Sequence, residues 1–102
     1  MIIFRLLSLL MKMMNKTDEI LCITQEECAE VSQAISKIFR FGFESNHPDM
    51  IKSNRKRLEE EVGDLLAMVD ILIEKCIISD TNVNQARQEK KQKLKVWSKI
   101  YE

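Results

Sequence analysis

Residues that break helices are almost absent from this chain. Its 102 residues include two glycines and one proline, whereas tight turns between β-strands draw heavily on both residue types. Apolar residues recur instead at the three- and four-residue spacings of helices that bury one face. We therefore predict an all-α fold of long helices and exclude a β-rich one.

The apolar pattern divides most of the chain into three helices. We predict them at about residues 17–40, from 51 or 53 to 77, and at about 82–99. The loop after the first helix contains Gly42, His47 and Pro48, and capping residue types at 79–82 precede the third helix. Gly63 lies inside the second helix at a cost of about 1 kcal/mol relative to alanine, which we interpret as close approach by a helix backbone, a metal or a phosphate.

Residues 1–14 form an apolar extension, and residues 15–102 form the predicted domain. Arg5 and Lys12 interrupt the apolar run, which is shorter than the roughly 20 residues that span a bilayer. We rank a packing helix, or translated sequence upstream of a start at Met13 or Met14, above a weak export signal. No membrane partner is expected.

The charges exclude a general affinity for nucleic acid. Sixteen basic and sixteen acidic residues cancel, so no global positive field gathers a polyanion. Basic residues are nevertheless concentrated after residue 87, and the acids in two stretches near 26–30 and 59–64. The three cysteines lack metal-binding or disulfide spacing, which indicates a reducing compartment, the cytoplasm.

Carboxylates fall on the apolar faces of the first two helices. Glu27 and Glu30 share a face with aliphatic residues of the first helix, and Glu61 does so in the second, with Asp64 one turn along at the edge. Burial of an unpaired carboxylate costs several kcal/mol. Four such groups facing one another would suit Mg²⁺, which takes oxygen ligands and bridges carboxylates to phosphates.

The alternative is a solvated acidic face, and three other glutamates fit it better. They lie off the apolar stripe and are expected to pair with Arg55, Lys56 or Arg57; these glutamates are Glu26, Glu59 and Glu60.

The acidic stretches carry a family resemblance. EECAE at 26–30, followed by EEVGDLL at 60–66, resembles the EExxE…ExxD signature of the MazG-type all-α nucleoside triphosphate pyrophosphohydrolases. This superfamily also includes dimeric dUTPases, dCTP pyrophosphatases and phosphoribosyl-ATP pyrophosphohydrolase. The resemblance covers about residues 17–78. The interval between Glu30 and Glu61 is long for the family, and the third helix lacks a clean Lys/Asn/Arg pattern found in many relatives.

The resemblance implies a function. A (deoxy)nucleoside triphosphate would be hydrolysed to the monophosphate and pyrophosphate with Mg²⁺, or Mn²⁺ in its place. The catalytic, metal-binding residues would be Glu27, Glu30, Glu61 and Asp64, with Glu26 holding a second ion or orienting water. We expect long antiparallel helices in a four-helix-type bundle that is completed by a homodimer or homotetramer.

Basic and polar residues are candidates for substrate contacts. Lys90 continues the apolar stripe of the third helix, Lys91 is the reserve if the register differs by one, and Asn84 offers a polar contact. Lys37 flanks the first loop. The competing interpretation of these lysines is an exposed basic helix face.

Two alternatives remain to the general reaction. One is dUTP, dCTP or phosphoribosyl-ATP hydrolysis within the same superfamily. The other is a non-catalytic helical interaction module whose acidic residues form salt bridges between subunits.

Overall fold

The computed structural model describes residues 2–13, 15–45 and 52–102, and within these ranges every regular element is a helix. The helices are α1 (Ile2–Met13), α2 (Lys16–Phe41), α3 (Asn54–Glu74) and α4 (Asp80–Trp97). The all-α prediction is confirmed. Each predicted end of the three long helices lies within three residues of the observed end. His47 and Pro48 of the predicted loop lie outside the described residues.

Both ends of α2 follow from side-chain and glycine chemistry. The Asn15 side-chain oxygen accepts a hydrogen bond of 2.8 Å from the Asp18 amide, which satisfies one of the free N–H groups at the start of a helix. At the other end, Gly42 has φ 88° and donates its N–H to the Ile38 carbonyl at 2.7 Å. Because side chains disfavour a positive φ, glycine is the residue that ends this helix without strain.

The start of α3 is hydrogen-bonded to the segment that follows α2. The amide of Asn54 donates to the Ser45 carbonyl at 3.1 Å, and the amide of Arg55 donates to the Phe43 carbonyl at 2.8 Å. The Asn54 side chain, in turn, donates to the Gly42 carbonyl at 2.9 Å. We refer to these contacts between residues 42–45 and 54–55 as the α2–α3 joint.

The helix α3 ends three residues earlier than predicted, at Glu74 instead of Ile77. Cys76 takes φ 59°, and the amides of Cys76 and Ile77 donate to the carbonyls of Ile73 and Leu72 at 2.9 Å each. This pair of bonds is the Schellman arrangement, which normally places glycine at the left-handed position. The helix predicted from the sequence is longer because no glycine marks its end.

The N-terminus of α4 is capped by Ser79, as the sequence predicts. Its hydroxyl accepts from the Asn82 amide at 3.3 Å. The last turn closes with a bond of 3.0 Å from the Ser98 amide to the Leu94 carbonyl.

The chain divides into two compact units, Met1–Ile71 and Leu72–Glu102. In the first, α1 contacts α2, and Ile20, Ala34 and Met68 are buried. In the second, Leu72 is buried and α4 contributes no buried residue. No side chain in residues 15–45 and 52–102 is completely enclosed. None of the described helices has the length and apolarity needed to cross a bilayer.

Close approach of another helix to Gly63 is not found in the described part of the chain, and approach by a metal or a phosphate stays a prediction. A Cβ atom built at this position meets no atom within 4 Å. The residue is exposed, so its lack of a side chain does not make room for another helix of the same described chain.

Candidate metal centre

Three carboxylates from two helices meet in one group. Glu27 extends from α2, whereas Glu61 and Asp64 extend from successive turns of α3, and one oxygen of each lies within 4.8 Å of the others. Glu27 and Glu61 are half-buried and Asp64 is exposed, which matches the predicted position of Asp64 at the edge of the apolar face. We refer to these three residues as the carboxylate cluster.

One oxygen of the cluster has no partner among the described residues. Glu27 Oε2 is enclosed, and no group in residues 2–13, 15–45 or 52–102 forms a hydrogen bond with it. Buried polar atoms in proteins are nearly always satisfied, because leaving one unpaired costs about 1–3 kcal/mol and more when it is charged. An oxygen that no donor satisfies, next to two further carboxylates, is the environment expected of a cation ligand.

The chemistry of the donors narrows the class of cation. Every member of the cluster offers carboxylate oxygen, the donor preferred by hard divalent ions such as Mg²⁺ and Mn²⁺. Sulfur and imidazole, which softer metals prefer, are not among the cluster's donors. The residues present therefore fit a hard divalent cation.

The electrostatics of the cluster oppose its ionisation in the absence of a cation. Burial is the main cause that raises the pKa of Glu27 above its ordinary value, followed by repulsion from Asp64, Glu61, Glu30 and Glu26. Burial also leads in raising the pKa of Glu61, followed by Glu30 and Asp64, while Arg57 acts in the opposite direction. A bound cation would reverse these effects, because it stabilises the ionised form.

Glu30 and Glu26 lie beside the cluster. Both are half-buried, and both raise the pKa of Glu27 through their charge, as Glu30 also does for Glu61. Neither contributes an oxygen to the mutually close group. The structure thus brings together three of the four predicted ligands and places the fourth, Glu30, within electrostatic reach of two of them.

Glu60, which directly precedes Glu61 on α3, differs from the cluster in having a basic partner. Glu60 accepts a hydrogen bond of 2.7 Å from the Lys52 ammonium group, and this bond is the leading cause that lowers the pKa of Glu60. Lys56 and Arg57 lower it further through their charge. Sequence reasoning named these two neighbours but missed Lys52, because it lies before the start of α3 and helical spacing does not relate it to Glu60.

The candidate substrate residues occupy two places. Lys90, Lys91 and Asn84 are exposed on α4, and the Asn84 amide donates to the Asp80 carboxylate at 3.3 Å. Lys90 lines an open groove of about 420 Å³ together with Lys93, Leu94 and Trp97. Lys37 is half-buried on α2. Substrate contacts by these residues stay a prediction.

Comparison with known families identifies the class of protein. The family described as MazG nucleotide pyrophosphohydrolase domain matches residues 15–95, which is most of the chain. The chain therefore belongs to the MazG nucleotide pyrophosphohydrolase domain family. The match confirms the resemblance read from the acidic stretches and extends it beyond residue 78 into α4. Comparisons with curated proteins and with solved structures yield no match.

Family membership supports a general activity. A MazG domain indicates a nucleotide pyrophosphohydrolase, and enzymes of this family typically use a divalent metal. The carboxylate cluster is where the described residues could hold such an ion.

Proposed function

We propose that this protein hydrolyses a (deoxy)nucleoside triphosphate to the monophosphate and pyrophosphate with Mg²⁺, or with Mn²⁺ in its place. The observation that carries the proposal is the enclosed, unpartnered Oε2 of Glu27 in a group of three carboxylates. The family match over residues 15–95 supports the reaction class. Hard oxygen donors support the choice of cation.

Glu27, Glu61 and Asp64 would hold the cation, and Glu30 would complete the set from the next turn of α2. When bound, the ion would neutralise charge on the triphosphate oxygens and lower the pKa of a bound water molecule. Glu26 would orient water or hold a second ion. Its half-buried position close to Glu27 supports this role.

A positioned carboxylate can act as a general base. One of the glutamates of the site would accept the proton of the attacking water as the water oxygen bonds to phosphorus. The phosphoanhydride bond breaks in the same reaction, and pyrophosphate carries away the electron pair of that bond if the α-phosphorus is attacked.

Lys90, with Lys91, Asn84 and Lys37 as further candidates, would contact the anionic substrate. Exposure of Lys90 in an open groove beside an aromatic ring supports this assignment. Lysine ammonium groups bind phosphate oxygens as compact point charges. The same groove leaves room for a ligand that is larger than phosphate.

The protein would function as a homodimer or homotetramer in which antiparallel helices complete a four-helix-type bundle. Exposed apolar side chains on the helices of the carboxylate cluster support this assembly, since Val62 is 36% and Leu66 is 49% exposed. Leu21 on α2 is 47% exposed. The unpaired state of all three cysteines agrees with a cytoplasmic location,.

Pyrophosphate release from a panel of the eight common NTPs and dNTPs, with phosphoribosyl-ATP added, tests the proposal. We expect release with Mg²⁺ and none with EDTA. Preference for dUTP, dCTP or phosphoribosyl-ATP would assign the specialised reaction. No release from any substrate by a folded protein would favour the non-catalytic interaction module.

A matched pair of variants tests the site. Glu61→Gln removes one charge of the cluster, whereas Glu59→Gln removes the same charge from an exposed position two residues earlier. If Glu61→Gln retains activity, the carboxylate cluster is not the catalytic metal site. Loss in both variants would show that the effect is general to this part of α3.

A further inference from the structure

The α2–α3 joint contains the one buried polar residue among those described. Asn54 is 7% exposed, and its side-chain amide donates to the carbonyl of Gly42 at 2.9 Å. Its backbone amide donates to Ser45. Asn54 therefore satisfies the carbonyl of the residue that ends α2 while it occupies the first position of α3.

Each helix that meets at the joint carries part of the carboxylate cluster. Glu27 belongs to α2, which ends at Phe41 before Gly42, and Glu61 and Asp64 belong to α3, which begins at Asn54. An α-helix fixes the rise and rotation of every residue relative to its ends. The hydrogen bonds at the joint consequently restrict the distance and the angle between α2 and α3, and with them the positions of the carboxylates that the two helices carry.

Repulsion within the cluster works against that restriction. One carboxylate oxygen of each of Glu27, Glu61 and Asp64 lies within 4.8 Å of the others, and like charges this close repel one another. Without a cation, this repulsion favours separation of α2 from α3. A contact that holds the helices together at one end keeps the cluster assembled and ready to bind.

The neighbouring side-chain contacts are weaker supports. Arg55 pairs with Glu44 at 2.7 Å, and its guanidinium lies 4.6 Å from the centre of the Phe43 ring. Both members of the ion pair are largely exposed, and exposed pairs contribute little. Asn54, being buried, is the member of the joint whose removal leaves a carbonyl without its donor.

We propose that Asn54 is a positioning residue: through the hydrogen bond to Gly42 it holds Glu27 against Glu61 and Asp64 and so sets the affinity of the cluster for a divalent cation. The inference rests on the proposed function insofar as that cation is the cofactor of the reaction. It does not require that any particular nucleotide be the substrate.

The test uses the full chain and Mn²⁺ alone. Asn54→Asp keeps the size of the side chain and removes the amide donor, and an acidic residue in the first turn of a helix is favourable, so α3 should be retained. We expect the Kd for Mn²⁺, measured by electron paramagnetic resonance without nucleotide, to rise by about 3-fold to 30-fold, the usual range for coupling between separated sites. Asn54→Ser, which has a donor too short to span to Gly42, should show the same rise.

The matched control is Asn82→Asp, which makes the same exchange at an exposed position near the start of α4. Its Kd for Mn²⁺ should equal that of the unaltered protein. A merely structural role would lower the melting temperature of the Asn54 variants with an unchanged Mn²⁺ Kd, and that result would overturn the proposal. An Asn54 variant that folds and binds Mn²⁺ with the Kd of the unaltered protein would also overturn the proposal.

A second readout separates positioning from chemistry. The Mn²⁺ concentration that gives half-maximal pyrophosphate release should rise in parallel with the Kd, while kcat at saturating Mn²⁺ changes by less than about 3-fold, since coupling acts on binding.

If the unaltered protein binds Mn²⁺ but releases no pyrophosphate, the proposed function fails and the Kd comparison still decides the role of Asn54. If it does not bind Mn²⁺, both proposals fail. Should both Asn54 variants fail to fold, Asn54→Thr, which also lacks the amide group and suits the start of a helix, must raise the Kd, or positioning by Asn54 is refuted.

Discussion

Glu27 on α2 and Asp64 on α3 hold carboxylate oxygens within 4.8 Å of each other, across two helices and beside Glu61. Like charges at this separation repel, and the pKa of Glu27 is raised partly for that reason. Such an arrangement is stable at low cost only if protons or a cation reduce the negative charge.

The first prediction concerns the pH dependence of stability without metal. Glu27 and Glu61 have pKa values above the ordinary 4.5, so the folded state holds their protons more tightly than the unfolded state. Their contribution to the free energy of unfolding is then complete below pH 4.5 and is lost as the pH rises through the raised values. In EDTA, we expect the melting temperature to fall as the pH is raised from 4.5 to neutral.

Glu27→Gln should flatten this decline and raise the melting temperature more at the upper end of the range than at the lower end. Glu60, whose pKa is lowered, contributes in the opposite sense, and its contribution is lost only at a lower pH. Glu59→Gln is the control and should keep the decline. An equally steep decline in Glu27→Gln would contradict the electrostatic explanation.

The second prediction concerns metal binding. Mg²⁺ or Mn²⁺ should stabilise the protein at neutral pH, by about 2.7 kcal/mol when the free ion is 100 times its Kd. Glu61→Gln should abolish most of this stabilisation and lower pyrophosphate release by at least about 100-fold. Thermal unfolding with and without the ion measures the first effect. Equal stabilisation of Glu61→Gln and of the original protein would place the ion elsewhere.

Sequence periodicity predicted the local part of this site. Glu27 and Glu61 were expected among the aliphatic residues of their own helices, and both are half-buried. This succeeds because a helix fixes which of its own residues share a face. The spacing of residues within one helix is therefore enough to predict which of them lie on the same face.

The contacts between segments were not predictable in the same way. Glu27 contributes to the carboxylate cluster, whereas Glu30 lies beside it. Which of the two faces α3 depends on how α2 and α3 are rotated about their axes, and the residue spacing within either helix does not specify that rotation. Asn54 and Lys52 were missed because helical spacing does not relate either residue to its partner, which is Gly42 for Asn54 and Glu60 for Lys52. The predicted end of α3 failed for a local reason, the non-glycine residue Cys76 at positive φ.

The third prediction follows from that residue. Cys76→Gly should raise the free energy of unfolding by about 1 kcal/mol, because glycine adopts a positive φ without the penalty paid by other residues. Cys76→Ala removes the same sulfur but keeps a Cβ, so it should give no such gain. Chemical denaturation of the three proteins measures the difference. A gain of equal size in both variants would assign the effect to the thiol and not to the backbone.

The fourth prediction compares the two glycines. Gly63→Ala should stabilise the protein by about 0.5–1 kcal/mol, since alanine favours a helix and its Cβ meets nothing within 4 Å. Gly42→Ala should destabilise it by about 1–3 kcal/mol because of its backbone conformation, with φ 88° and ψ 167°. Urea denaturation distinguishes them. A loss of stability in Gly63→Ala would indicate that a second copy or a ligand packs on this open position.

The fifth prediction tests the basic groove of α4. Loss of a charge-assisted hydrogen bond costs about 1.5–3 kcal/mol, so Lys90→Gln should lower kcat/KM by at least about 10-fold if its ammonium group binds substrate phosphate. Lys99→Gln removes the same charge from an exposed position near the end of the chain and should leave kcat/KM within about 2-fold, since single exposed charges contribute little. Steady-state rates at a fixed ionic strength measure both.

Lys91→Gln decides the register of that contact. Lys90 lines the groove with Leu94 and Trp97, so a loss confined to Lys90→Gln means that the substrate lies on this face of α4. A loss confined to Lys91→Gln would move the contact to the neighbouring face, because successive helical residues point about 100° apart. Equal small losses in all three variants would show that α4 acts only through its overall positive charge, and raising the salt concentration should then remove the effect.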